Sequence, residues 1–236
     1  MEFDYLWENG PKMAQSEHFK LGTDSVLLGN FANINGAKKG IDLGCCTGVL
    51  SILLLCRSEK LHVDAIEIDE EATMIARKNM EINGLTERSN IVYGDLRDVR
   101  NHFQSGAYDI VISNPPYFPL NAGVVSPNER KAKARGEVSC TLEDILAAAK
   151  YLTRWDGKFY IVYKCDRMVE LLKGMSEDGI EPKRLRLVCH EMDSAPSLCL
   201  VEGRRGGKPG LIVEKMLVIK NKDGSDTDEI KEIYHR

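Results

Sequence analysis

The stretch Ser113-Asn114-Pro115-Pro116-Tyr117-Phe118 carries the most specific chemistry in this 236-residue chain. Its simplest reading is a turn, since Asn-Pro starts turns. The residue types suit something narrower. Methyl transfer to a planar amine is hindered because the nitrogen lone pair is delocalised into the base or amide. Two acceptors, the Asn114 side-chain oxygen and the Pro115 carbonyl, can each take one N–H and turn that lone pair outward. Tyr117 can stack on the ring, a contact worth about 1–3 kcal/mol per base. Pro115 and Pro116 hold the loop rigid, so orientation costs little entropy at the moment of reaction. No strong general base is needed, because the proton leaves only after the nitrogen has become cationic.

Three other sites have the same character: a short apolar run ends in a turn that carries an acid. Asp42-Leu43-Gly44-Cys45-Cys46-Thr47-Gly48 can bend tightly, bring backbone close to a ligand and lead into a helix N-terminus. It lacks the third glycine of a dinucleotide fingerprint, which makes a dehydrogenase a poor fit. Glu67-Ile68-Asp69 follows about 20 residues later, where an acid can accept both hydroxyl hydrogens of a ribose. Asp69 instead suits a helix cap. Gly94-Asp95 can accept from an adenine amino group, although an isolated Asp there is more often a turn or cap residue.

The elements around these turns alternate between strand and helix. Strands are expected at 40–43, 62–68, 91–93, 108–113 and 158–163, and helices at 49–57, after Asp69, from Thr141 to about Leu152 and at 167–176. Segments 184–189, 197–202 and 211–219 are β-rich. The expected fold is α/β: one doubly wound, Rossmann-like domain over 1–236, with antiparallel strands at the C-terminal edge of the sheet. Ligands bind such sheets beyond the carboxyl ends of the strands, where all four acidic or Asn-Pro turns fall. Apolar residues make up 43% and charged residues 29%, which excludes disorder. No apolar run reaches the roughly 18 residues of a membrane span, and the acidic start Met1-Glu2-Phe3-Asp4 is unlike a signal peptide. Seven cysteines without a Cys-x-x-Cys pair fit a reducing cytoplasm. Cys189-His190 has no second pair at ligand spacing, so no metal is expected. A net charge of -4 argues against nonspecific nucleic-acid coating, but two local basic patches stand out: Arg130, Lys131, Lys133 and Arg135, and Arg204 with Arg205.

With these motifs the chain resembles class I S-adenosylmethionine-dependent methyltransferases acting on exocyclic amines. More closely it resembles the bacterial tRNA valine-1 adenine-37 N6-methyltransferase family. The likeness extends to Phe19-Lys20-Leu21-Gly22-Thr23-Asp24-Ser25, Ala134-Arg135-Gly136-Glu137 and the tail from Leu200 to Gly207. It implies S-adenosylmethionine as cofactor, with Asp42, Gly44, Thr47 and Gly48 at the methionine part, Glu67 with Ile68 at the ribose, and Asp95 with Leu96 at the adenine. Thr23 and Asp24, in an N-terminal extension over 1–35, would close the pocket, and Asn114 would lie between cofactor and acceptor. The substrate implied is tRNA, bound by a monomer, with the two basic patches on RNA phosphates and an anticodon-loop adenine that is already single-stranded. One residue departs from the family pattern. Cys46 stands where the turn usually has glycine, so a positive φ there would cost on the order of 1 kcal/mol. The competing readings are another amine acceptor (release-factor glutamine, rRNA or DNA adenine) and a noncatalytic cofactor- or RNA-binding module. The glutamine enzymes normally carry a separate N-terminal helical bundle, for which about 35 residues before the first core strand are too few.

Overall fold

A computed structural model describes residues 3–14, 22–116 and 140–235. Tyr117 and the basic residues Arg130, Lys131, Lys133 and Arg135 lie outside the described residues. The chain opens with a hairpin, β1 (Phe3–Tyr5) and β2 (Lys12–Ala14), and helix α1 (Thr23–Phe31). The core then alternates through β3 (Lys39–Leu43), α2 (Val49–Arg57), β4 (His62–Glu67), α3 (Glu70–Ile82), β5 (Ser89–Tyr93), α4 (Val99–His102) and β6 (Tyr108–Ser113). After residue 140 come α5 (Leu142–Leu152), β7 (Thr153–Lys164), α6 (Met168–Glu177), β8 (Ile180–Glu191), β9 (Leu198–Arg205), β10 (Ile212–Val213), β11 (Leu217–Lys220) and α7 (Asp228–Ile233).

The strands β3 to β11 form one sheet in the order β10-β8-β9-β7-β6-β3-β4-β5, with β11 also pairing β8. Strands β5, β4, β3, β6 and β7 are mutually parallel, as the alternation with helices requires. The antiparallel pairing expected at the C-terminal edge is that of β9, which runs against both β7 and β8. Strands β8, β10 and β11 point the same way as the parallel core, so β9 alone is reversed. Two C-terminal strands, β7 and β8, are longer than their apolar runs, because each continues through a register shift at Tyr108/Ile110 or Pro182/Arg184.

Side-chain alternation along the strands divides the core in two. Val63, Ala65, Ile110, Ile112, Tyr160 and Val162 face α1, α2, α3 and α7. Ile41, Leu43, Ile66, Val111, Phe159 and Ile161 face α4, α5 and α6. Both faces are covered, which defines a doubly wound sheet. Helix α2 is buried from Val49 to Leu55, as a helix apolar on all sides must be. Helix α1 lies against it, so closely at Gly29 that a Cβ would fall 2.9 Å from Leu53 Cδ1. Asp69 caps α3 by accepting from the Ala72 amide at 2.9 Å, and Gly84 (φ +66°) ends that helix. A reciprocal Thr141/Asp144 capping box opens α5.

Candidate active site at the carboxyl edge of the sheet

The turn from β3 into α2 reverses direction within five residues by using left-handed backbone three times: Gly44 (φ +70°), Cys46 (φ +50°) and Gly48 (φ +83°). The amides of Gly44 and Cys45 both donate to the Ile66 carbonyl, at 2.9 and 3.2 Å, which ties the turn to β4. A Cβ on Gly48 would stand 3.0 Å from Met80 Cε, so α3 packs against that glycine. At Gly44 nothing lies within 4 Å of such a Cβ, which leaves the backbone open to a ligand. Cys46 does occupy the conformation that glycine tolerates best, so the strain expected of it is present. Burial, reinforced by the Glu67 charge, pushes its thiol up to about 12, so it is no thiolate nucleophile at neutral pH.

Asp42 lies beneath the turn, fully buried. Its Oδ2 accepts from the Ser51 hydroxyl at 2.8 Å and the Ser51 amide at 3.2 Å. Its Oδ1 has no hydrogen-bond partner among the described residues. Burial pushes this carboxyl up to about 7, against the two Ser51 bonds that lower it. Glu67, nearly as buried, braces two backbone segments: Oε2 accepts from the Cys46 amide at 2.8 Å and Oε1 from the Asp69 amide at 2.9 Å. Its carboxyl is raised by burial, which outweighs those bonds. A carboxylate offers about four lone-pair positions, so acceptor capacity for the ribose remains. Beside it, Ile68 exposes an apolar side chain (46%) at the strand end. Asp95 takes the cap role weighed against adenine recognition: it accepts from the Arg97 amide at 2.8 Å and pairs with the Arg97 guanidinium. That pairing holds its carboxyl below the usual range. Leu96 follows, packed against the core under α5.

Asn114 leaves β6 on the same edge, because Ile112 pairs with Asp42 and Ser113 Oγ donates to the Leu43 carbonyl at 2.9 Å. Pro115 is buried and Pro116 exposed. Asn114 Nδ2 donates to Ser25 Oγ at 2.9 Å, which brings the first turn of α1, with Thr23 and Asp24, to the same place. The structure thus unites Thr23, Asp24, Asp42, Gly44, Thr47, Gly48, Glu67, Ile68, Asp95, Leu96, Asn114, Pro115 and Pro116 along one edge.

Arg204 and Arg205, the second basic patch, lie apart from them. Because β9 is reversed, Arg204 pairs with Lys158 near the amino end of β7, at the opposite edge of the sheet. There Arg204 is bound to Asp156 at 2.5 Å, and Arg205 donates to the Thr153 carbonyl. Two residues near the site have no role assigned from the sequence. Ser25 is one. The other is Asn79, buried on α3, whose amide bridges the hairpin to the turn by accepting from Ala14 N at 2.6 Å and donating to Thr47 O at 2.9 Å. A polar residue on the otherwise apolar face of Ala72, Ile75, Ala76 and Met80 was its signal.

S-adenosylmethionine fits this donor–acceptor pattern. It carries an ammonium, two ribose hydroxyls and an adenine amino group, all donors, where the strand ends present the carboxylates of Asp42, Glu67 and Asp95, and Asp42 has a buried oxygen lacking a partner among the described residues. Comparison with known proteins points the same way. Residues 15–175 match the methyltransferase small domain family. A protein of Tolumonas auensis named tRNA1(Val) (adenine(37)-N6)-methyltransferase is 31% identical over 211 residues, covering 89% of this chain and 86% of its own length. Its namesake from Photorhabdus laumondii is 30% identical over 217 residues, covering 91% and 86%. In fold, a protein of Agrobacterium tumefaciens described as a predicted O-methyltransferase superposes with TM-score 0.71 at 18% identity, covering 90% of this chain and 96% of that one. Geranyl diphosphate C-methyltransferase from Streptomyces coelicolor, solved with S-adenosyl-L-homocysteine, superposes with TM-score 0.53 at 10% identity, covering 71% and 69%. With the turn, the acids and Asn114 assembled on one sheet edge and this likeness along most of its length, the chain belongs to the methyltransferase small domain family, in the group whose members share the name tRNA1(Val) (adenine(37)-N6)-methyltransferase.

Proposed function

We propose that this protein transfers the methyl group of S-adenosylmethionine to the N6 amine of a tRNA adenine, with adenine-37 of tRNA1(Val) as the acceptor its relatives' name specifies. The observation that carries the reading is the meeting of Asn114-Pro115 with the Gly44–Gly48 turn and Glu67 at one edge. Bound S-adenosylmethionine supplies a sulfonium methyl that a weak nucleophile can take, leaving a neutral thioether. Asp42, Gly44, Thr47, Gly48, Glu67, Ile68, Asp95 and Leu96 would hold it, with Thr23 and Asp24 closing the near side.

The chain's own task is to make the amine nucleophilic. The Asn114 amide oxygen and the Pro115 carbonyl take one N–H each, which draws the nitrogen lone pair out of the ring. Pro115 is buried, so its carbonyl is mounted on a fixed strand end. Once methylated, the amine is cationic and loses its proton to water without a dedicated base. We assign Tyr117 to stacking on the adenine and Arg130, Lys131, Lys133 and Arg135 to tRNA phosphates. We also place the enzyme in the cytoplasm, acting as a monomer. Seven free cysteines support that compartment, and no helix among the described residues is long and apolar enough to cross a membrane.

The test is incubation with labelled S-adenosylmethionine and, in parallel, total tRNA, rRNA, DNA or release factor, followed by nucleoside analysis. Label in N6-methyladenosine from tRNA is expected. Label on protein alone would replace the acceptor with a glutamine amide.

A further inference from the structure

We infer that Ser25 is a positioning residue for the methyl transfer, holding the Asn114 amide in its working orientation; this deepens the proposed function and stands on it. Asn114 can serve the reaction only if its oxygen, not its nitrogen, meets the acceptor amine, because an NH2 group there would oppose donor to donor. Ser25 Oγ accepts from Asn114 Nδ2 at 2.9 Å across 89 residues of sequence. That bond engages one N–H of the amide nitrogen and limits rotation of the amide.

Several contacts make Ser25 a firm mount. It sits in the first turn of α1 but is not spent on capping, since that helix has no side-chain cap bond. Val26, Leu27 and Leu28, the next residues, are at most 2% exposed. Gly29 touches Leu53 of α2, and the Arg57 guanidinium donates to the Gly29 carbonyl. At the far end of the helix the Tyr160 hydroxyl donates to Asn33 O at 3.0 Å and accepts from Asn33 N at 3.2 Å. Asn114 is held from the strand side by Ser113 on the Leu43 carbonyl. Asn114 therefore sits between two rigid elements, and the Ser25 hydroxyl is a side-chain contact from α1 to its amide.

The test uses full-length wild type with the Ser25→Ala and Ser25→Thr variants. It measures kcat and KM on total tRNA, Kd for S-adenosylmethionine, and Tm. Loss of alignment by about 1 Å costs up to a hundredfold in rate, so Ser25→Ala is expected to lower kcat by about ten- to a hundredfold. Its Kd and Tm should stay at wild-type values, and Ser25→Thr, which keeps the hydroxyl, should recover most of the rate. Unchanged kcat in Ser25→Ala overturns the positioning role, and so does a loss that tracks Kd or Tm. A wild type that binds S-adenosylmethionine but labels no tRNA instead overturns the tRNA reading, and the positioning role falls with it.

Discussion

Cys46 offers the sharpest check on the geometry of the cofactor turn. Its φ of +50° is a conformation in which an L side chain costs about 1–2 kcal/mol. Replacement by glycine removes that cost but loosens the unfolded chain, which returns about 0.4–1 kcal/mol. The net gain expected for Cys46→Gly is therefore about 0.5–1 kcal/mol. For a chain of this size, 1 kcal/mol moves Tm by roughly 2–4 °C. Cys46→Val works in the opposite direction, because a β-branched side chain fits the left-handed region worst of all. Neither change touches the Cys46 amide, so its bond to Glu67 survives in both variants. Thermal unfolding of the three proteins side by side should rank them Gly above Cys above Val, with about 5 °C between the extremes. Equal melting temperatures for Gly and Val would refute the reasoning, since the turn would then place no demand on φ at this position.

Asn114→Ala is expected to lower kcat by about a hundredfold or more with S-adenosylmethionine Kd unchanged, as befits a polar group that acts on the acceptor in the transition state; steady-state kinetics with a parallel titration checks it. Asp42, about 7 in the folded chain against 3.8 in its ordinary state, binds its proton more tightly when folded, so its contribution to stability is full below about pH 4 and is lost as pH rises through 7. The loss is on the order of 4 kcal/mol, and Asp42→Asn should flatten the decline seen in urea unfolding between pH 4.5 and 7.5. Arg204→Ala, at the far edge of the sheet, should leave KM for tRNA at the wild-type value; a several-fold rise would mean that tRNA spans both edges.

What the sequence disclosed was whatever is decided locally. The helix at 49–57 and the Asp69 cap each depend on a few neighbouring residues, and each lies where it was read. The same holds for the site. Every acid at a strand end falls on one edge because parallel strands share a direction, and direction follows from the alternation with helices. The edge on which Arg204 lies could not be read, because it depends on the sense of β9, which is set by pairing with β7 and β8 and leaves no local trace. Helix α1 was missed for a related reason. Its buried Val26, Leu27, Leu28 and Gly29 are consecutive, without the helical spacing that reveals an amphipathic helix. The contact of Ser25 with Asn114 could not be found without the fold, since the two are 89 residues apart.

Glu67 holds the Cys46 and Asp69 amides and is also the proposed acceptor for the ribose, so brace and binder must be told apart. Glu67→Gln keeps the shape but turns one oxygen into an NH2 group that faces a backbone N–H. A buried donor left unpaired in this way costs about 1–3 kcal/mol, which appears as a fall in Tm. The ribose contact is a separate quantity. Hydrogen bonds to a charged acceptor contribute about 1.5–3 kcal/mol, so their loss predicts a Kd for S-adenosylmethionine weakened at least tenfold. Measured well below the melting transition, where the variant is fully folded, Kd no longer reflects the unfolded fraction. A lower Tm with an unchanged Kd would make Glu67 a brace alone and would leave the ribose hydroxyls without their assigned acceptor. A weakened Kd at that temperature supports the ribose contact, and a Kd left unchanged by Cys46→Gly, which alters the same turn but keeps the Glu67 carboxylate, would separate that contact from a shift of the turn.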